Sequence, residues 1–399
     1  MGLNDFERST TIFRDEAVLR DDYTPDELIE RDEELAAFQN ALQPVVNNAP
    51  PKNIFVYGQT GTGKTLSSRL VLDKLVSDVR QYDDLTVEPV RVVCKSLSSY
   101  KVAVRLVNEL RPDDDQIART GYAPGDVYEM LWEAIDATNA SHVLFVLDEV
   151  DSLGTDDDIL YEIPRCTAHG HVEDTFVGVV GISNDFTFRD NLSARVKDSL
   201  CDEEIHFAPY DAEQLQHILW DRAKAAFQDN VLDDAVIRLA AAFAAQESGS
   251  ARRALNILYK AGDLARKQDA SQVTEAHVRE ADNIVEASKI ADELRQLPVQ
   301  NQLVLASVYQ FHDRGKTPVR RTDIYDRYVE MANAIDADVK TNRTVHNQLS
   351  QLALKGFLEV QEKNQGVKGG KYYTYSLSVQ PQTVAEAFRE SDRLNPLFG

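Results

Sequence analysis

Cysteine is scarce in this 399-residue chain: Cys94, Cys166 and Cys201 are the only three, and none stands at CxxC spacing. An odd, scattered trio argues against a disulfide framework. His169-Gly170-His171 follows Cys166, but no second ligand pair lies at zinc spacing, so no metal centre is expected there. Long hydrophobic runs are missing as well. The longest apolar runs are strand-length and Met1 to Arg14 carries no apolar signal segment, so the expectation is a cytoplasmic, reduced protein with nothing spanning a membrane. Internal repeats and low-complexity segments are also absent.

Positive charge is in short supply. Lys and Arg number 43 against 66 Asp and Glu, a net of −23, which argues against a chain that binds polyanions over its whole surface. The deficit is uneven: residues 298–399 hold 13 basic and 11 acidic side chains, leaving −25 for the rest. Within that tail, residues 314–380 carry 11 basic against 7 acidic. An acidic surface with more Arg than Lys suits a cytoplasm with molar salt, where charge repulsion is screened over about 3 Å, although an ordinary acidic cytosolic protein fits the same counts. Such salt also weakens phosphate contacts. A protein neutralising about six to ten phosphates loses roughly 10³ to 10⁵ in affinity between 50 and 200 mM salt, so contacts other than phosphate neutralisation must carry more of any polyanion binding.

Against these absences stands one dense motif, Gly58-Gln59-Thr60-Gly61-Thr62-Gly63-Lys64-Thr65, between the apolar run Asn53 to Tyr57 and a helix-like stretch from Leu66 to Arg80. A loop that wraps a phosphate chain must aim successive N–H groups inward and adopt angles a Cβ obstructs, hence Gly58, Gly61 and Gly63. Lys64 is placed to reach the β- and γ-phosphates and Thr65 to hold Mg²⁺ through its hydroxyl. The helix N-terminus adds partial positive charge. The second motif, Val143 to Leu147 followed by Asp148-Glu149, is a buried strand ending in two carboxylates. Such charges are costly without a cation nearby. Asp148 is expected to support the metal, and Glu149 to orient or deprotonate an attacking water. Asn184, at the tip of the run Phe176 to Ile182, is either an amide for the γ-phosphate or an ordinary loop-start Asn. Arg195 and the pair Arg252-Arg253 offer guanidinium groups suited to phosphate, or are surface arginines.

Five strand-like runs, Ile54–Tyr57, Val90–Cys94, Val143–Leu147, Phe176–Ile182 and Glu204–Phe207, alternate with helical stretches. Their near-continuous apolar character predicts an α/β domain whose parallel sheet is covered on both faces. From Asp211 to Leu297 the pattern is helical alone, with Leu215, Ile218, Leu219 and Ala223 on one face of the first helix. After Pro298 come helices over Val299–His312, Arg321–Ala334 and Thr341–Lys355. A hairpin follows, with Val360–Lys363 and Tyr372–Leu377 flanking a Gly- and Lys-rich loop. Three helices and a basic hairpin make a winged helix. Val345, Leu349 and Leu352 share one face of the third helix, leaving Asn342, Arg343, His346 and Asn347 for groove edges and phosphates, with Lys368 and Lys371 on the wing. A solvated face on a protein-interaction winged helix fits the same residues. The expected divisions are 1–208, 209–297 and 298–399.

The set resembles the AAA+ ATPases, and more narrowly the archaeal origin-recognition and helicase-loader initiators related to eukaryotic origin-recognition subunits. The resemblance rests also on Leu19 to Pro25 followed by Leu28, Arg31 and Glu33, on Phe207-Ala208-Pro209-Tyr210 followed by Gln214-Leu215 and Arg222, and on Gly249 to Leu258. It implies an ATP/ADP site with Tyr23, Pro25 and Leu28 on the adenine side and Leu66 just after the phosphate loop. Asn184 becomes the first sensor, Arg195 the arginine finger and Arg252 the second sensor, carried by a helical lid. Tyr210 and Arg222 become lid contacts to nucleotide. The family's additional helical insertion, which meets DNA, falls between Asn108 and Gly125, where Arg119 and Tyr122 stand beside an acidic Pro112-Asp113-Asp114-Asp115. The implied partners are double-stranded origin DNA, a replicative helicase of the minichromosome-maintenance type and further copies or paralogues of the chain. The implied activity is slow, switch-like ATP hydrolysis.

Other classes use parts of the same residues. A transcription-regulating or signalling ATPase would keep the winged helix without duplex binding. A protein-remodelling enzyme would need an aromatic pore loop, for which Leu97 to Lys101 offers only Tyr100. Clamp loading leaves a DNA-reading tail without purpose.

Overall fold

A five-stranded parallel sheet is the frame on which the phosphate loop hangs. In the computed structural model, which describes residues 11–364, 371–391 and 393–398, β1 (Ile54–Gly58), β2 (Val87–Val93), β3 (His142–Asp148), β4 (Phe176–Ser183) and β5 (Glu203–Phe207) lie in the order β2-β3-β4-β1-β5. All five expected strands are present, and every neighbouring pair runs parallel. Alternation along the strands divides the core in two. Phe55, Phe145, Leu147 and Val179 face one layer made by α3 (Ser99–Leu110), α4 (Pro124–Ala137) and the short helices α5 (Ile159–Arg165), α6 (Phe188–Asn191) and α7 (Ala194–Leu200). Ile54, Val56, Leu144, Val146 and Ile182 face the other, against α1 (Asp32–Val46) and α2 (Lys64–Val79). Burial on both faces is why these strands read as continuous apolar runs.

The lid follows β5. α8 (Ala212–Ala226) opens on a capping box, with Asp211 accepting from Gln214 N–H while the Gln214 side chain accepts from Asp211 N–H. α9 (Asp234–Glu247) and α10 (Ala251–Lys267) complete it, the latter capped by Ser250. A strap from the start of the described chain crosses the lid: Gln228 N–H donates to Ile12 O and Arg14 N–H to Ala226 O. The Phe13 ring lies 4.9 Å from that of Phe227. Gly262 makes room for it, since a Cβ there would stand 2.4 Å from Phe13 Cζ.

Two compact units, Met1–Val278 and Arg279–Gly399, divide within α11 (Glu275–Gln296). In the second unit, Pro298 N-caps α12 (Val299–Asp313). Then come β6 (Val319–Arg320), α13 (Arg321–Ala334), α14 (Asn342–Leu354), β7 (Leu358–Asn364), β8 (Lys371–Leu377) and α15 (Pro381–Arg389). An antiparallel sheet of order β6-β8-β7 closes the winged helix. The two-residue β6 and the helix α15 are additions to the sequence reading. β6 is too short to show alternation, and α15 buries Val384, Ala385, Ala387 and Phe388 into the same core as Val345 and Leu349. Among the described residues no helix is long and apolar enough to cross a membrane.

Candidate nucleotide site and nucleic-acid interface

The phosphate loop leaves β1 at Gly58 and enters α2 through Gly63, whose φ of +98° is open to glycine and strained for other residues. Gly61, at φ +81°, is also crowded by the lid: a Cβ there would lie 3.1 Å from Ser250 Cβ and 3.3 Å from Arg252 Cβ. Lys64 is buried, and its ammonium donates to Gly58 O at 2.9 Å and Gln59 O at 2.7 Å. Burial lowers its pKa to about 8, with Asp148 and Asp151 pulling the other way. Thr62 is buried too, its hydroxyl donating to Gln59 O.

Thr65 Oγ1 donates to Asp148 Oδ2 at 2.7 Å, joining the head of α2 to the end of β3. Glu149 follows with φ +55°, its N–H donating to Asp148 Oδ1. Asn184 sits one strand away, its N–H held by Asp151 Oδ1 at 2.9 Å. Asp151 is thus a residue the sequence reading passed over: Asp148-Glu149-Val150-Asp151 contains it, but only the sheet order shows that it ties the tip of β3 to that of β4.

These groups share a cleft of about 470 Å³ between sheet and lid, lined by Tyr23, Leu28, Gly61, Gly63, Lys64, Thr65, Leu66, Asp148, Glu149, Asn184, Tyr210, Arg222 and Arg252. Pro25 is buried and, like Gly58 and Thr62, is not among the residues that line the cleft. Arg222, from α8, lies 4.7 Å above the Tyr23 ring. Burial lowers its pKa, opposed by Tyr23 and Asp221. Arg252 opens α10 and stands 3.6 Å from Asp21. Arg195 is elsewhere: on α7, its guanidinium pairs with Asp158 at 2.6 Å and lies 4.9 Å over Tyr161, outside the cleft lining. Arg31, quoted above only as part of a motif, proves to be buried at the junction of loop and lid.

In the winged-helix unit α14 buries Val345, Leu349 and Leu352, while Arg343 and Asn347 are exposed and Asn342 and His346 half-buried. Lys371 begins β8, exposed and paired with Glu362; Lys368 lies outside the described residues. Arg320 on β6 stacks over the Tyr372 ring at 4.2 Å, a wing contact that a two-residue strand gives no sign of in sequence.

The helical insertion expected between Asn108 and Gly125 is corrected by the structure. From the end of α3 to the start of α4 there is one 3-10 turn, Asp113–Asp115, and otherwise irregular chain carrying exposed Arg119. Asn108 holds that chain by hydrogen bonds to both N–H and O of Ile117. Three adjacent carboxylates repel one another, and prolines at 112 and 124 bracket the segment, so a longer helix is disfavoured.

Fold and cleft define an AAA-type ATPase with a helical lid and a winged helix. Residues 27–167 match the AAA ATPase domain, 216–283 the Cdc6 AAA+ ATPase-type lid domain and 292–387 the CDC6 C-terminal winged helix domain. The chain is 55% identical over 414 aligned residues to ORC1-type DNA replication protein 1 of Haloarcula marismortui, covering 100% of this chain and 97% of that one. It is 41% identical to ORC1-type DNA replication protein 10 of Halobacterium salinarum, covering 98% and 95%. Among solved structures, the Aeropyrum pernix ORC1 protein in complex with DNA superposes with a TM-score of 0.82 at 34% identity, over 98% of this chain and 100% of that one. The chain belongs to the ORC1-type DNA replication proteins and is a replication initiator. Its acidic charge agrees with relatives from halophilic archaea.

Proposed function

We propose that the chain is a slow ATP-dependent switch at replication origins. The supporting observation is that Lys64, Thr65 and Asp148 from the sheet and Arg222 and Arg252 from the lid line one cleft, so whatever fills it touches both bodies. Lys64 binds the β- and γ-phosphates. Tyr23, Pro25, Leu28, Tyr210 and Arg222 surround the base and sugar. Glu149 takes the proton of the attacking water and Asn184 holds that water or the γ-phosphate. Arg252 senses the γ-phosphate, so its loss changes the lid angle. Thr65 and Asp148 suit Mg²⁺, which takes few protein oxygens and keeps several waters; when bound, it neutralises charge on the phosphates.

The working divisions are 1–208 for nucleotide chemistry, 209–297 for the lid and 298–399 for DNA. The last reads a double-stranded origin: α14 enters the major groove with Asn342, Arg343, His346 and Asn347, while the wing with Lys368 and Lys371 meets the backbone or minor groove. Arg119 adds a backbone contact. The protein partners are a replicative helicase of the minichromosome-maintenance type and further copies or paralogues, whose cleft would receive Arg195, exposed and away from its own. Work at origins puts the chain in the cytoplasm, on the nucleoid. The transcription-regulating alternative has no support from the relatives named, all replication proteins.

Footprinting on genomic DNA at 1 M KCl or above, with ATP and ADP compared, tests the reading. Protected repeats whose occupancy differs between the nucleotides are expected. Uniform protection of any duplex, indifferent to nucleotide, would sink it.

A further inference from the structure

Arg31 is 3% exposed, and a buried guanidinium needs partners for its charge and its N–H groups. Glu34, three residues on, supplies the charge at 2.6 Å. That pair alone would satisfy a structural role, yet the remaining donors go elsewhere. Nε donates to Thr62 O at 3.0 Å and Nη2 to Ala208 O at 2.6 Å. The guanidinium carbon lies 3.7 Å from the centre of the Tyr210 ring. Four segments meet on one planar group: the head of α1, the phosphate loop, the exit of β5 and the linker into the lid.

Each contact falls where geometry matters. Thr62 C=O belongs to the peptide that leads into Gly63, and in a trans peptide the N–H points opposite to the C=O. Holding Thr62 O therefore aims Gly63 N–H away from the guanidinium. Ala208 and Tyr210 flank Pro209 at the start of the lid. Tyr210 N–H donates to Gly249 O, and Ala251 N–H donates to Gly61 O, so the lid returns to the phosphate loop. A closed circuit results: Thr62, Arg31, Tyr210, Gly249, Ala251, Gly61. The neighbouring Glu30, at φ +63°, pairs with His217 Nδ1 of α8 at 2.6 Å.

We propose that Arg31 is a positioning residue for ATP hydrolysis: its single plane makes the attitude of the lid and the geometry of the phosphate loop change together. The inference rests on the reading of the cleft as a nucleotide switch. Arg31→Lys keeps the charge but cannot span two carbonyls and stack at once, whereas Glu34→Gln removes the charge partner and leaves those contacts. Both are made in the full chain, with spin labels at Gln81→Cys and Gln246→Cys in a Cys201→Ser background, and assayed for kcat, KM and the label distance with ATP and with ADP.

Arg31→Lys is expected to lower kcat about 10- to 100-fold with KM within about threefold, and to abolish the distance difference between nucleotides. Glu34→Gln is expected to preserve both. A kcat within twofold of wild type with the distance difference intact overturns the inference, as does an equal loss in Glu34→Gln, which would make Arg31 only half of an ion pair. Should Arg31→Lys not fold, Arg31→Gln combined with Glu34→Gln leaves no unpaired buried charge and no group that can bridge both carbonyls, and must also erase the distance difference. If the wild type shows no nucleotide-dependent distance, the switch reading fails first and takes the inference with it.

Discussion

Thr65 and Asp148 stand 83 positions apart in the chain and 2.7 Å apart in space. Neither oxygen is a strong ligand alone, and the parallel pairing of β3 with β4, and of β4 with β1, is what brings the carboxylate to the head of α2. Thr65→Val keeps the shape and removes the hydroxyl. Nucleotide affinity measured with and without EDTA should then lose most of its dependence on divalent cation, and hydrolysis should fall by about 10²-fold. An unchanged response to EDTA would place the metal elsewhere.

Glu149 should separate binding from hydrolysis. Glu149→Gln is isosteric and cannot accept the proton, so turnover should drop by about 10² to 10⁴ while ATP binding, followed by fluorescence of a labelled nucleotide, stays within a few-fold. A parallel loss of binding would mean the side chain is structural.

His217 gives the lid a pH signature. Its hydrogen bond to Glu30 raises its pKa above the ordinary value. A raised histidine contributes stability that is complete below its unfolded pKa, about 6.5, and is lost as pH rises through the folded value. Glu213 and Asp211 act in the same direction. Proton NMR should find His217 titrating above about 6.5, and Glu30→Gln should move it down. The Tm difference between the two proteins should be largest near about pH 6 and shrink toward pH 9.

On the DNA side, Arg343 is exposed on α14 while the apolar face of the same helix is buried. Arg343→Ala should cost about 1–3 kcal/mol against the preferred duplex and relax choice at one base position. Binding competition with single-base variants measures this; an equal loss on random duplex would remove α14 from the reading role.

Much of this was legible beforehand because period and punctuation agree. β1 is an apolar run that ends at glycine, and β3 is apolar from Val143 to Leu147 before its carboxylates. α14 repeats Val345, Leu349 and Leu352, and the hairpin is marked by its glycines. What escaped notice is non-local. Arg31 and Asp151 look like ordinary charges until the sheet order sets Thr62, Ala208 and Asn184 beside them. The missing helix before α4 is the reverse case, where family expectation outran the local chemistry of Asp113 to Asp115.

Gly262 offers a test of the strap. Its Cβ would meet Phe13 at 2.4 Å, so Gly262→Ala should lower Tm, with an overpacking cost of about 1–3 kcal/mol. Phe13→Ala in the same chain should recover part of that loss.

That contact also bears on how the molecule can be cut. Residues 209–297 look in sequence like a detachable helical piece, but one wall of their interior is supplied by Ile12 and Phe13, some two hundred positions upstream. A fragment starting at 209 would expose an aromatic slot to water, so the lid can be excised intact only as a circularly permuted or two-piece assembly that brings the strap along.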